Sequence, residues 1–452
     1  MNIIIVGCGK VGQTLIEQLN TNENNVTIVD LSEDKIKEIR KKYDVMDVVG
    51  NGATLNTLEE AGISNADLMI AVTNSDELNL LCCIIAKKAG NIQTIARVRS
   101  PEYRRDLQYL QEELDIALII NPEYEAAVEI ERVLRFPSAI KIDTFAKGKI
   151  ELLKFKVTEK SNLDDLMVKD ISNRLHCNVL ICMIQRGNEI YIPNGNSKIQ
   201  NGDVLSIIGS HEEAINFFKK VNLFTQRTKS AILIGGGEIA VYLAQILTSS
   251  GVAVKIIEKN SKRCSQLVDL LPKCTIVQGD ASDRQTLLEE RIDQSDAIVC
   301  LTNIDEENIF LSLYAKNNNS KAKVVTKVTR IEFDDIVSKL ELDSMVNPKY
   351  ITAEIIVQFV RALRNSQGSN VERLYSLIKD KVEASEFLIK AESAITNRPL
   401  LQLKFKKNVL IAGIFRDGKM IIPRGQDEIK LGDRVVVVSR IIGLHDITDL
   451  LL

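Results

Sequence analysis

The chain reads twice, and that repeat constrains its fold before any single motif is weighed. Residues 1–11 (MNIIIVGCGKV) are answered by residues 229–239 (KSAILIGGGEI), so Gly7 and Gly235 stand 228 positions apart (235 − 7). The segments NVTIVD (25–30) and AVKIIE (253–258) keep that offset. Gly50-Asn51-Gly52-Ala53-Thr54 is matched by Gly279-Asp280-Ala281-Ser282, with one residue more in the first copy, and AVTNSDELN (71–79) by CLTNIDEEN (300–308). Asn121-Pro122-Glu123-Tyr124 returns as Asn347-Pro348-Lys349-Tyr350. Further on, Ile192-Pro193-Asn194-Gly195 and Gly202-Asp203-Val204 return as Ile422-Pro423-Arg424-Gly425 and Gly432-Asp433-Arg434. With 452 residues the chain is too long for one core. The repeat divides it into four expected units, 1–138, 139–224, 229–363 and 371–452, joined near Pro137, at the polar 225–229 and at 364–370.

Each large unit alternates short Val/Ile runs with amphipathic stretches such as 32–43 and 77–89. That alternation predicts α/β folding, with right-handed βαβ crossovers building a doubly wound, Rossmann-like parallel sheet. The two small units carry paired β-rich runs punctuated by turns such as Arg186-Gly187-Asn188 and Arg416-Asp417-Gly418. They read as α+β modules with a hairpin-rich sheet.

Gly7-Cys8-Gly9-Lys10-Val11-Gly12 follows an apolar strand and opens a helical pattern through Leu15 and Leu19. Strand, glycine turn and helix in that order predict a dinucleotide site, in which pyrophosphate approaches the backbone and meets the free N–H groups of the helix. Asp30 ends the second strand, 18 residues after Gly12 (30 − 12), where a carboxylate accepts ribose hydroxyls and repels a 2′-phosphate, so NADPH is expected to be excluded. Asn51, Thr73 and Asn74 fall at the C-terminal ends of later strands, the ligand-binding edge of such a sheet. Lys10 and Arg97 are cations that can meet a phosphate or stand as surface charges.

The second turn, Gly235-Gly236-Gly237-Glu238-Ile239-Ala240, keeps two glycines and a tolerated alanine, and Glu258 takes the place of Asp30. Asp280, Thr302 and Asn303 repeat the strand-end positions, but Glu238 replaces Lys10 and Lys327 replaces Arg97. A nucleotide with fewer phosphates, or bound more weakly, is the expectation for this lobe.

A dehydrogenase would need a proton-transfer group beside the nicotinamide. His176, His211 and His445 all lie in the small modules. Tyr375 and Lys379 have Tyr-xxx-Lys spacing, yet the repeat aligns them with Asp143 and Lys147 at a hairpin-like turn rather than on one helix face. Asp76-Glu77 and Asp305-Glu306 read as helix-start charges. A catalytic residue and a metal site are therefore not expected, and an NAD-dependent oxidoreductase stands as the alternative function.

A net charge of −3 supplies no basic footprint for nucleic acid. The eight cysteines lack a CxxC pair and read as buried thiols. The first residues run directly into the glycine turn without a basic leader, and no apolar run nears membrane-spanning length, so a cytoplasmic protein is expected.

The Gly7–Gly12 turn with Asp30, the Ala71-Val72-Thr73-Asn74 segment before Asp76-Glu77, the Ile95-Ala96-Arg97-Val98-Arg99 strand end, and their repetition after Lys229 resemble the TrkA family, the peripheral subunit of bacterial Trk potassium-uptake systems. The resemblance covers essentially the whole chain. It implies two potassium-conductance-regulating (RCK) domains per chain, forming a homo-oligomeric ring, expected to be a tetramer. The ring would sit at the inner face of the cell membrane beneath a potassium-translocating subunit of TrkH type. It further implies binding of NAD(H) and of ATP or ADP without turnover. Gly7, Gly9, Lys10, Val11, Asp30, Thr73, Asn74 and Arg97 would line the first site, and Gly235, Gly237, Glu258, Thr302 and Asn303 the second. The small modules are where the resemblance would put dimer contacts or a second effector, but the turn chemistry of 192–203 and 422–433 accounts for their glycines and prolines without an effector.

Overall fold

The computed structural model describes every residue except 21–23, 101–102, 104–105, 137, 224–227, 330–339, 341, 366–370, 379–380, 442 and 445. Pro137, most of the two other expected joints, Lys379 and His445 thus lie outside the described residues. The chain forms two compact units, one of residues 1–131 with 229–357 and the other of 132–228 with 358–452. One unit brings together the two large lobes and the other the two small modules.

In the first unit, lobe 1 runs β1 (Asn2–Val6), α1 (Lys10–Leu19), β2 (Asn25–Asp30), α2 (Glu33–Arg40), β3 (Met46–Val49), α3 (Leu55–Glu60), β4 (Leu68–Ala71), α4 (Asp76–Gly90), β5 (Gln93–Arg97), α5 (Leu107–Glu113), β6 (Leu118–Ile120) and α6 (Pro122–Arg135). The sheet is parallel in the order β3-β2-β1-β4-β5-β6. Its central strands are apolar throughout because helices cover both faces: Ile3, Ile4, Ile5 and Val6 are all buried. Helix α1 buries Val11, Gly12, Leu15, Ile16 and Leu19, a single stripe at helical spacing. Helix α4 starts where Ser75 accepts the Leu78 N–H, with Asp76 and Glu77 in its first turn and Lys87 and Lys88 in its last. Asp76 also accepts the Arg99 and Ser100 N–H groups, so this helix-start acid anchors the chain leaving β5.

The second unit contains module 1, with β7 (Lys141–Phe145), β8 (Ile150–Lys156), α7 (Ile171–Leu175), β9 (Leu180–Arg186), β10 (Glu189–Tyr191), β11 (Val204–Gly209) and α8 (His211–Lys220). Its five strands pair antiparallel in the order β10-β9-β11-β8-β7.

Lobe 2 repeats the first lobe with β12 (Ser230–Ile234), α9 (Glu238–Ser249), β13 (Ala253–Glu258), α10 (Ser261–Leu270), β14 (Thr275–Gln278), α11 (Arg284–Glu289), β15 (Ala297–Cys300), α12 (Asp305–Asn318), β16 (Lys323–Lys327), β17 (Ser344–Val346) and α13 (Pro348–Asn365). Its parallel order is β14-β13-β12-β15-β16-β17. Module 2 supplies β18 (Val371–Ile378), β19 (Val382–Leu388), β20 (Val409–Arg416), β21 (Lys419–Ile421) and β22 (Arg434–Ser439), antiparallel in the order β18-β19-β22-β20-β21.

The two modules share one apolar cluster, in which Phe145, Leu152 and Met183 of the first pack with Val382, Ala384 and Val436 of the second. Within it the buried Glu386 carboxylate accepts the Ala146 N–H at 3.2 Å and the Arg434 guanidinium at 3.0 Å. Tyr375 lies on β18 opposite Ala384 and donates its hydroxyl to Thr144 O at 2.9 Å, which makes it part of this packing. Seven cysteines are buried and Cys274 is partly exposed; none is disulfide-bonded. Burial pushes the Cys8, Cys82, Cys182 and Cys300 thiols up to about 12, which makes them inert apolar groups. Among the described residues no helix is long and apolar enough to cross a membrane, and no cluster could hold a metal ion.

Candidate functional site

The order of strands in each lobe reverses between its first and fourth strands, and the glycine turn lies at that switch point, where open α/β sheets receive ligands. Gly7 has φ +106°, and a Cβ there would stand 2.9 Å from the Thr73 N and the Val72 carbonyl carbon, so only glycine lets the turn pass the end of β4. A Cβ on Gly12 would overlap Gly7 O at 2.0 Å, because α1 packs directly on the turn. Nothing lies within 4 Å of the Cβ position of Gly9. Gly9 caps α1 without a side-chain hydrogen bond, which leaves the first N–H groups of the helix open to an anion.

Asp30 holds this arrangement in place. Its Oδ2 accepts the Cys8 N–H at 2.7 Å, its Oδ1 accepts the Ser32 N–H at 2.8 Å, and Lys35 Nζ stands 3.8 Å from Oδ2. Thr73 is fixed by Asn79, whose Oδ1 accepts both the Thr73 N–H at 2.8 Å and its hydroxyl at 2.7 Å, while Nδ2 donates to Arg97 O at 2.8 Å. Asn51 Oδ1 accepts the Ala53 N–H in its own turn. The resulting cleft encloses about 410 Å³, and Gly7, Gly9, Asp30, Asn51, Thr73 and Asn74 line it. That volume is within the usual range for small-molecule sites, roughly 300–1,000 Å³.

Not every expected residue faces this cleft. Cys8, Val11 and Gly12 are buried beneath it, and Lys10 is exposed at the start of α1. Arg97 is 8% exposed and donates from Nη2 to Thr73 O. Its guanidinium stabilises the loop from below, and burial together with Arg99 lowers its affinity for a proton. Lys35, which the sequence reading did not single out, lines the cleft instead.

Lobe 2 repeats the scaffold. Gly235 has φ +100° against Leu301 and Thr302, Glu258 accepts the Gly236 N–H at 2.8 Å and the Asn260 N–H at 2.7 Å, and Asn308 takes the role of Asn79 toward Thr302 and Lys327 O. Gly235, Gly236, Gly237, Asp280, Thr302 and Asn303 line a cleft of about 170 Å³ with Glu258, whereas Glu238 and Ile239 lie outside its lining. Lys327 is buried and donates from Nζ to Leu301 O at 3.2 Å, an inward position like that of Arg97.

The TrkA-N domain family matches residues 3–122 and 231–348, and the TrkA-C domain family matches residues 152–222 and 384–452. The chain belongs to the TrkA family. It is 31% identical over 440 residues to the Trk system potassium uptake protein TrkA homolog of Archaeoglobus fulgidus, covering 97% of both chains. With the Trk system potassium uptake protein TrkA of Haemophilus influenzae it shares 31% identity over 441 residues, 97% of this chain and 95% of the relative. Among solved structures, the GsuK channel bound to NAD superposes with a TM-score of 0.63 at 17% identity, over 97% of this chain and 76% of that one. At that identity the likeness shows the TrkA-family fold, the tandem arrangement of parallel lobes and antiparallel modules.

Proposed function

We propose that this TrkA-family chain is the cytoplasmic regulatory subunit of a potassium uptake system. In this reading it binds NAD(H), or ATP or ADP, and acts on a membrane-embedded potassium-translocating subunit of TrkH type. Four units with the boundaries 1–138, 139–224, 229–363 and 371–452 form two RCK domains, and chains join in a tetrameric ring at the inner face of the membrane.

The observation that carries this reading is the lobe 1 cleft. It offers an open glycine turn, free helix N–H groups and a carboxylate at the end of β2, and the titratable residues lining it are Asp30 and Lys35. Such a lining suits holding a nucleotide's phosphates and ribose, and neither titratable group stands as a spare acid or base: Asp30 is engaged by the turn and Lys35 is paired with it. The names of the relatives and the NAD bound to GsuK support the same role. A bound nucleotide can act on a partner only through its different affinity for two geometries of the ring, and that difference is the regulatory signal.

The test is rubidium uptake at limiting external potassium by cells lacking this gene and other potassium importers, complemented with the wild type or Asp30→Lys. Uptake restored by the wild type and misregulated by Asp30→Lys is the expected result; uptake indifferent to the gene would overturn the reading. NADH consumption by the purified chain would turn attention to the oxidoreductase alternative.

A further inference from the structure

The two clefts differ most where a phosphate chain would lie. Glu238 stands where lobe 1 has Lys10, and Arg263 where it has Lys35, each 228 positions on (238 − 10, 263 − 35). The guanidinium of Arg263 is drawn across the second glycine turn. Its Nε donates to Gly236 O at 2.7 Å, its Nη2 to Glu238 Oε1 at 2.9 Å and its Nη1 to Gln266 Oε1 at 3.2 Å. All three nitrogens are thereby engaged, and the pair is partly shielded from water, with side chains 23% and 38% exposed.

The walls of the cleft point the same way. Lobe 2 presents Glu258, Asp280 and Glu307, where lobe 1 presents Asp30, Asn51 and Leu78. Lys259 is the cation among the described lining residues. The enclosed volume falls from about 410 Å³ to about 170 Å³. The N–H groups of α9 behind Gly237 still favour an anion, but the Glu238 carboxylate stands in the first turn of that helix, and a phosphate there would meet like charge. Arg263, the cation beside that carboxylate, is already committed to it.

We propose that the Glu238–Arg263 ion pair sets the specificity of lobe 2, admitting the uncharged nucleoside part of a ligand and barring the phosphate chain that lobe 1 accepts. This rests on the reading of both lobes as nucleotide sites. Glu258 would hold the ribose hydroxyls as Asp30 does in lobe 1, and Arg263 acts as a latch rather than as a ligand contact. Releasing it converts the latch into a phosphate-binding fork, because guanidinium pairs with phosphate in the same bidentate geometry as with carboxylate.

The test is calorimetric titration of the full-length chain with ADP and with adenosine. The wild type is expected to take one ADP per chain, in lobe 1, and adenosine in lobe 2. Glu238→Gln should gain a second ADP equivalent, with lobe 2 affinity raised at least about tenfold, the effect of one charge-assisted hydrogen bond. Glu238→Gln combined with Arg263→Gln should lose that gain, and Arg263→Gln alone should not produce it. Two ADP equivalents in the wild type, or one in Glu238→Gln, would overturn the latch while leaving lobe 1 binding intact. Absence of ADP from every variant would instead overturn the nucleotide reading, and the latch with it. Thermal unfolding of each variant checks that the fold is retained.

Discussion

Tyr242, on the helix that begins at the second glycine turn, donates its hydroxyl to the carbonyl of Arg99 in the other lobe, 3.2 Å away. The same hydroxyl accepts Asn121 Nδ2 at 3.0 Å, and its ring meets that of Tyr124 edge-on at 5.7 Å. Arg99 in turn donates from Nη2 to Asn74 O at 2.7 Å, at the mouth of the lobe 1 cleft. Tyr242 thus ties α9 to the strand end that supports the other site, and it does so fully buried. Tyr242→Phe should cost about 1 kcal/mol of stability, since Asn121 Nδ2 keeps its own bond to Arg99 O at 3.0 Å. Tyr242→Ala should cost about 3–5 kcal/mol by opening a cavity between the lobes. Urea unfolding followed by tyrosine fluorescence or circular dichroism measures both; equal costs would show that the ring contributes nothing.

Asn79 and Asn308 are fully buried amides whose Oδ1 accepts the Thr73 and Thr302 N–H groups; Asn79 takes the Thr73 hydroxyl as well, while the Thr302 hydroxyl donates to Ile304 O. Replacing Asn79 with Ala leaves the Thr73 N–H and the Arg97 carbonyl without their partner, at about 1–3 kcal/mol for each buried group. The expected outcome is a less stable lobe 1 whose nucleotide affinity falls while lobe 2 is unchanged, and Asn308→Ala should give the mirror result. Binding to the two variants, titrated side by side, separates this local effect from general destabilisation.

Lys323 is buried on β16, and burial lowers its pKa from 10.5 to about 8, against the opposing attraction of Asp343. A base whose folded pKa is depressed favours the folded state above its unfolded pKa and loses that advantage as the pH falls through the folded pKa. Stability should therefore rise as pH is raised from about 8 to 10.5, the window between the two values. Lys323→Met removes the charge from this site and should flatten that window, stabilising the chain at neutral pH by on the order of 2–3 kcal/mol. Melting temperatures of both proteins across the window give the comparison, and parallel curves would refute the assignment to Lys323.

Much of this architecture is written locally. The apolar run ending at Gly7 and its copy ending at Gly235 specify strand, turn and helix through short-range geometry, and Asp30 and Glu258 mark the strand that follows. Asn79 was equally visible, repeated in AVTNSDELN and CLTNIDEEN, but a polar residue near a helix start reads as surface until the packing shows it buried. Arg97 misleads for the opposite reason: a cation at a strand end reads as a ligand, yet the loop above it supplies a backbone acceptor and closes over it. Tyr242 and Arg263 have no local signature. Their roles depend on a partner lobe and on a helix 25 residues away (263 − 238), contacts that periodicity does not encode.

Asp30 offers the most direct reading of the lobe 1 site, because its two oxygens already hold the turn through Cys8 and Ser32 while the carboxylate lines the cleft. Asp30→Asn keeps one acceptor oxygen for the backbone but removes the charge that a ribose hydroxyl pair would prefer and a 2′-phosphate would oppose. NADH affinity should fall roughly tenfold, while NADPH, which the wild type is expected to exclude, should become a measurable ligand. Asp30→Ala frees both backbone N–H groups and should bind neither dinucleotide measurably, with a loss of about 1–3 kcal/mol of stability. Fluorescence titration of the three proteins with NADH and NADPH measures the preference. A wild type that binds both equally would mean that the carboxylate faces something other than the adenosine ribose.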